Sequence, residues 1–107
     1  MNTLGVKEAA RAELRRINTP ELAFHSGHEA WAVLLEEVEE ADAELAVIKQ
    51  VTDELKEMVF CDDANVHLFD ALAELYNRAI NAAAEAVQVA AVASKFANYL
   101  AADEEDA

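Results

Sequence analysis

Apolar positions recur along this chain with the period of an α-helix, and the pattern is broken in only two places. Leu4, Ala10, Leu14 and Ile17 fall on one side of a helix predicted from Thr3 to Ile17. Asn18-Thr19-Pro20 ends it, with Thr19 able to cap and Pro20 suited to the first position of a new turn. "ELAFHSGH" then reads as a loop or short turn with Ser26 and Gly27 as its flexible part. A second helix starts near His28 or Glu29 and runs to about Val59, weakest at Thr52 and Asp53. "FCDDAN" is the second break, and Asp62 or Asp63 can cap the next helix. From Val66 to about Ala102 there is neither Gly nor Pro, so this segment is one very long helix or two, with "YNRAIN" as the place for a bend. The pattern predicts one all-α domain over residues 1–102, a helical bundle of three to five helices built on segments 1–17, 28–59 and 66–102. The acidic residues 103–107 read as a frayed, solvated, disordered tail.

Composition agrees with helix: 54 % of the 107 residues are apolar, Ala dominates them, and there are only two Gly and one Pro. A helical chain this short often completes its core by oligomerising, and its two long segments carry more apolar face than one copy can cover. A homodimer or homotetramer is therefore expected. The formal net charge is −14, which repels nucleic-acid phosphates and argues against stable nucleic-acid binding; only the first helix, with Lys7, Arg11, Arg15 and Arg16, is basic. Cys61 is the single cysteine, so no intrachain disulfide can form, which fits a reducing cytoplasm. No apolar run is long enough to span a membrane, and Met1–Val6 has neither the charged start nor the apolar centre of a signal peptide. No repeat is present, and the only biased stretch is the Ala-rich one around Ala82–Ala84.

Charge becomes informative in "HEAWAVLLEEVEEADAEL", His28 to Leu45. Taking Glu36 as 0°, Leu34, Val38, Ala41 and Leu45 fall at roughly 140–200°, widened by Trp31 and Leu35, while Glu36, Glu37, Glu40, Glu44 and Glu29 fall at roughly 0–100° and Glu39 at roughly 300°. An acidic arc opposite an apolar one is ordinarily a solvated face. It also contains an E-x-x-E pair, Glu37 and Glu40, whose carboxylates project a turn apart and repel unless a cation offsets them. Mg²⁺ takes oxygen ligands of this type.

"NAAAEAVQVAAVASKFANYL", Asn81 to Leu100, breaks the apolar-polar pattern. Val89, Val92, Phe96 and Leu100 lie within roughly 60° of Glu85, so a carboxylate sits in the middle of an apolar stripe, flanked by Asn81 and Gln88. A glutamate there must be paired, hydrogen-bonded, protonated or metal-bound, because a lone buried charge is expensive. Snorkelling to water, or pairing with Arg78 or with another subunit, would satisfy it without any function.

Taken together, the E-x-x-E helix opening "HEAWAVLLEEVEEADAEL" and the later "EAVQVAAVASKF" resemble the MazG-like all-α nucleoside triphosphate pyrophosphohydrolases, closest to the small phage and Gram-positive-type members with an HE-aromatic-A-V-L-L-E-E opening. The resemblance covers roughly Asn18 to Leu100, although 49–84 matches nothing specific. It implies an E-x-x-E and a later E-x-x-D that hold Mg²⁺, or Mn²⁺ in its place, inside a helical bundle. It implies hydrolysis of a nucleoside triphosphate, commonly a deoxynucleotide, to the monophosphate and pyrophosphate, in the cytoplasm of a bacterial or phage-infected cell. Carried over, Glu37, Glu40 and Glu85 are the catalytic acids, with Glu36 beside them and Gln88 where the family has Asp. Gln keeps a neutral ligand oxygen but brings less charge, so the site would keep one Mg²⁺ and lose a second, shift its substrate preference or be inactive, with Glu36 or Glu44 in partial compensation. A non-catalytic MazG-like scaffold, acting as an interaction or nucleotide-binding protein, is the alternative that Gln88 favours.

Candidate substrate contacts are His28, Trp31, Lys49, Asn81 and Lys95, the last being seven residues after Gln88 and so on its side of the helix. The ordinary roles are a capping or hydrogen-bonding His25 and His28, a core Trp31, surface lysines and a structural His67. Cys61 has no His or Cys nearby to suggest zinc, and the chain has no Gly-rich phosphate loop, nucleophile elbow or H-E-x-x-H.

Overall fold

A computed structural model of the chain describes residues 1–106, with side chains described to Ala102. Three helices and one short turn of 3-10 helix make up the fold: α1 Leu4–Ile17, the 3-10 turn Pro20–Leu22, α2 Gly27–Phe60 and α3 Asn65–Asp106. No strand occurs among the described residues. The expected tail over 103–107 falls largely outside the described residues: backbone is assigned as helix through Asp106, and nothing is described of the side chains from 103 on or of Ala107.

Local chemistry explains the boundaries. Pro20 opens its turn without a side-chain bond from Thr19. Ser26, expected in a flexible loop, is the cap of α2: its Oγ accepts from the Glu29 amide at 3.1 Å, and the Glu29 carboxylate accepts from the His25 amide at 3.1 Å. S-x-x-E is thus a capping box displaced by one residue at its second bond. Thr52 does not weaken α2 enough to break it; its hydroxyl donates back to the Ile48 carbonyl at 2.8 Å.

Helix α2 ends in a Schellman motif. The Asp63 amide donates to the Met58 carbonyl at 2.9 Å and the Asp62 amide to the Val59 carbonyl at 3.3 Å, with Asp62 left-handed at φ 52°. Asp63 rather than Asp62 then satisfies the start of α3. Its Oδ1 accepts from the Ala64 amide at 2.8 Å and lies 2.7 Å from His67 Nδ1, giving that histidine its structural role.

"YNRAIN" does not bend the chain; α3 is a single helix. Neither Asn nor Tyr costs more than about 0.7 kcal/mol in a helix, too little to break a segment otherwise rich in Ala, Glu and Leu. With a four-residue link between them, α2 and α3 form an antiparallel hairpin, and α1 folds back onto α3. At about 1.5 Å per residue α3 should span about 63 Å, and the long axis of the molecule measures 65 Å.

The core is thin. Ala30, Val51, Ala71, Ala91 and Val92 are its buried apolar residues among those described, none larger than valine. Small side chains let the helices approach but cover little, so Phe60, Phe69, Tyr76, Ile80 and Trp31 stand in solvent. Trp31 is 56 % exposed and not a core residue as expected, because no third layer covers that face of α2. The radius of gyration is 18.6 Å, against about 13 Å for a compact domain of this length. The accessible surface is 7754 Å², where a compact monomer of this mass exposes about 5,900 Å². No described helix is long and apolar enough to cross a membrane.

Candidate metal centre

In an antiparallel hairpin, residues early in α2 face residues late in α3. That geometry carries Glu37 and Glu40 to the level of Glu85. One carboxylate oxygen from each of Glu37, Glu40 and Glu85 lies within 4.8 Å of the others. Glu37 and Glu85 are half-buried and Glu40 is exposed. The apolar stripe around Glu85 leads to buried Val92, and Glu85 ends beside two other acids, not beside Arg78.

The crowding has an electrostatic signature. The Glu37 carboxyl is held above its ordinary range, first by burial and then by the charges of Glu40, Glu85, Glu36 and Glu13. A carboxylate whose neighbours are other carboxylates binds a proton or a cation more readily than one in water.

Of the remaining acids, Glu36 faces solvent and is felt at Glu37 only through its charge. Glu44 is turned toward Arg78, with 3.9 Å between Oε2 and the guanidinium. Its Oε2 is buried and, among the described residues, accepts no hydrogen bond. Glu44 therefore faces Arg78 and is not one of the clustered acids. Glu29 is spent on the cap of α2.

Beside the acids lies a cavity of about 300 Å³, with Arg16, Phe24, His25, Glu37, Gln88 and Lys95 on its wall. Lys95 is only 8 % exposed. Its Nζ donates to the Leu22 carbonyl and sits 4.3 Å from the centre of the Phe24 ring. Phe24 in turn meets Phe96 and Tyr99 edge-on, at 6.4 and 6.2 Å. These contacts pin the linker 18–26 to α3 and close one side of the cavity. Among the described residues Lys95 has no carboxylate within ion-pairing distance, and burial pushes its ammonium down from the usual lysine range against a weaker opposite pull from Glu29.

Of the five residues expected to contact substrate, Lys95 lies on this cavity; His28, Trp31, Lys49 and Asn81 are exposed and lie on neither the cavity wall nor the acid cluster. His25, Arg16 and Phe24 take their place on the wall. Phe24 and His25 carried a signal as two aromatics in a loop directly before the acidic helix. Arg16 carried none, since which helix α1 packs on is not written in its own periodicity.

Compared with protein-family models, with curated proteins and with solved structures, the chain matches none.

Proposed function

We propose that this protein is a MazG-like, Mg²⁺-dependent nucleoside triphosphate pyrophosphohydrolase that works as an oligomer. One observation carries the reading: three carboxylates from two helices, more than 40 residues apart in sequence, converge beside a cavity that also holds a buried ammonium. Hard oxygen donors on one side and a cation on the other suit a magnesium-bound polyphosphate better than they suit a protein or nucleic-acid partner.

Glu37, Glu40 and Glu85 would hold the metal, with the Gln88 carbonyl oxygen and Glu36 nearby. Bound there, Mg²⁺ (or Mn²⁺) would neutralise phosphate oxygens and make a water easier to deprotonate. Lys95 offers its remaining N–H groups to a phosphate in the cavity. A carboxylate of the cluster left free of the metal would take the proton from the attacking water as its oxygen reaches phosphorus and pyrophosphate leaves. Phe24 and the pinned linker keep bulk water from one side of the cavity.

The oligomer is supported by surface. The chain exposes about 1,900 Å² more than a compact monomer, over twice the roughly 800 Å² per partner of a standard interface. A second reading, a nucleotide-binding scaffold without turnover, is favoured only by Gln88. A panel of ribo- and deoxynucleoside triphosphates with Mg²⁺, assayed for pyrophosphate, separates the two. Release that stops in Glu40→Gln and Glu85→Gln supports the enzyme, release that survives both removes the proposed site, and binding without release favours the scaffold.

A further inference from the structure

The exposed side of α2 carries a periodicity of its own. Trp31, Leu35, Val38, Asp42, Leu45 and Lys49 follow one another at alternating steps of four and three residues and lie within roughly 80° of one another. That is the spacing of a coiled-coil seam, whose positions meet another helix. Here the four apolar members are between 39 % and 56 % exposed, and Asp42 and Lys49 are exposed as well. Beside the stripe runs a groove of about 320 Å³, walled by Val38, Ala41, Asp42 and Leu45 of α2 and by Ala86 and Val89 of α3. Its four α2 residues stand at i, i+3, i+4 and i+7, the arrangement of a hole that takes a knob from a neighbouring helix. Among the described residues no side chain of α1 lines this groove, whereas Arg16 and Ile17 line the cavity beside the acids.

We infer that this face of α2 is a self-association surface, on which a second copy lays its own α2 antiparallel. Leu35 then meets the partner's Leu45, Val38 enters the partner's groove, and the Lys49 ammonium meets the ring of the partner's Trp31, a favourable cation–aromatic contact. The stripe is therefore complementary to a reversed copy of itself. A parallel pairing would instead set Asp42 against Asp42 and Lys49 against Lys49, and like charges at facing positions destabilise it. Surface area points to the same occupant. The chain exposes about 1,900 Å² beyond a compact monomer, more than one standard interface of roughly 800 Å² per partner takes up. Phe69, Tyr76 and Ile80 are not on the groove wall, so they leave this face free for a second copy. The inference rests on the proposed oligomer and not on the proposed hydrolysis.

Disulfide trapping and sedimentation equilibrium of the full chain test it. In a Cys61→Ser background, which removes the native exposed thiol, Leu35→Cys with Leu45→Cys should form an intermolecular disulfide under mild oxidation. The two positions are about 15 Å apart along one helix, too far to bridge within a chain. Either cysteine alone should give no cross-linked band. Leu35→Glu with Leu45→Glu should halve the mass of the wild-type assembly; both side chains are exposed, and circular dichroism confirms that the variant keeps its helices. Cross-linking by either single cysteine, or none by the pair, overturns the antiparallel pairing. An oligomeric wild type whose mass the glutamate variant leaves unchanged overturns the α2 surface while the oligomer stands. A monomeric wild type overturns the oligomer and this surface together.

Discussion

Glu37 concentrates the energetics of the site in one residue. Its carboxyl is raised by burial and by four neighbouring acids. A group whose folded-state value lies above its unfolded one adds stability below the unfolded value and loses that contribution as pH rises through the folded one. At pH 7 without metal, a charged Glu37 therefore costs stability, as the like-charge pair with Glu40 alone would, by about 0.5 kcal/mol. Glu37→Gln should raise the metal-free Tm at pH 7 by about 2–4 °C, and the gain should vanish near pH 4. Melts at fixed protein concentration in a chelator check this, and a lower Tm for the variant at pH 7 would show that the carboxylate makes a favourable contact instead. Adding Mg²⁺ should then stabilise wild type and leave the variant unmoved. Glu85 was legible in the sequence because it violates the apolar period of α3. Arg16's place on the cavity wall was not, because it comes from α1 packing on α3, a long-range contact that the local pattern of a basic surface helix does not encode.

At the scale of elements, the helices were legible, the start of α2 to within a residue of Gly27, but its cap was not. Gly27 made "HSGH" look flexible, yet Ser26 and Glu29 hold the spacing of a capping box and satisfy two amides. Ser26→Ala should cost about 1 kcal/mol, read from chemical denaturation with an unchanged m-value. Glu29→Gln should cost less, since an amide oxygen still accepts from the His25 amide. The cap also fixes the register in which α2 leaves the linker, and so the level at which Glu37 and Glu40 meet Glu85. Loss of the cap should therefore weaken metal binding as well as stability, whereas a substitution at exposed Lys49 should affect neither. The single α3 reflects the same weighing: mild propensity losses at Tyr76 and Asn77 are outweighed by packing along α2.

For the whole molecule, the thin core is the informative property. Ala30, Ala71 and Ala91 let helices approach closely while leaving large apolar side chains outside. Phe69, Tyr76 and Ile80 fall within roughly 40° of one another on α3 and are all more than half exposed. In the proposed oligomer that stripe is a seam on which a second copy would pack. Sedimentation equilibrium should give a mass of two or four chains, and Phe69→Lys with Tyr76→Lys should weaken association by about 2 kcal/mol, near thirtyfold. A wild-type monomer at micromolar concentration would contradict it. The sequence pattern implied this surplus of apolar face, but it placed Trp31 in the core, because a helical wheel marks which face is apolar and not whether another layer exists to cover it.

The same packing that leaves those faces open brings the acids together, and the reaction proposed for them is cleavage of a nucleotide between its α- and β-phosphates. The most direct measurement is ³¹P NMR of a deoxynucleoside triphosphate incubated with the protein and Mg²⁺, in parallel with Glu85→Gln. Equal growth of monophosphate and pyrophosphate signals, absent in the variant and in chelator, is the predicted result. Orthophosphate as the first product, or a spectrum that stays unchanged across the nucleotide panel, would contradict it.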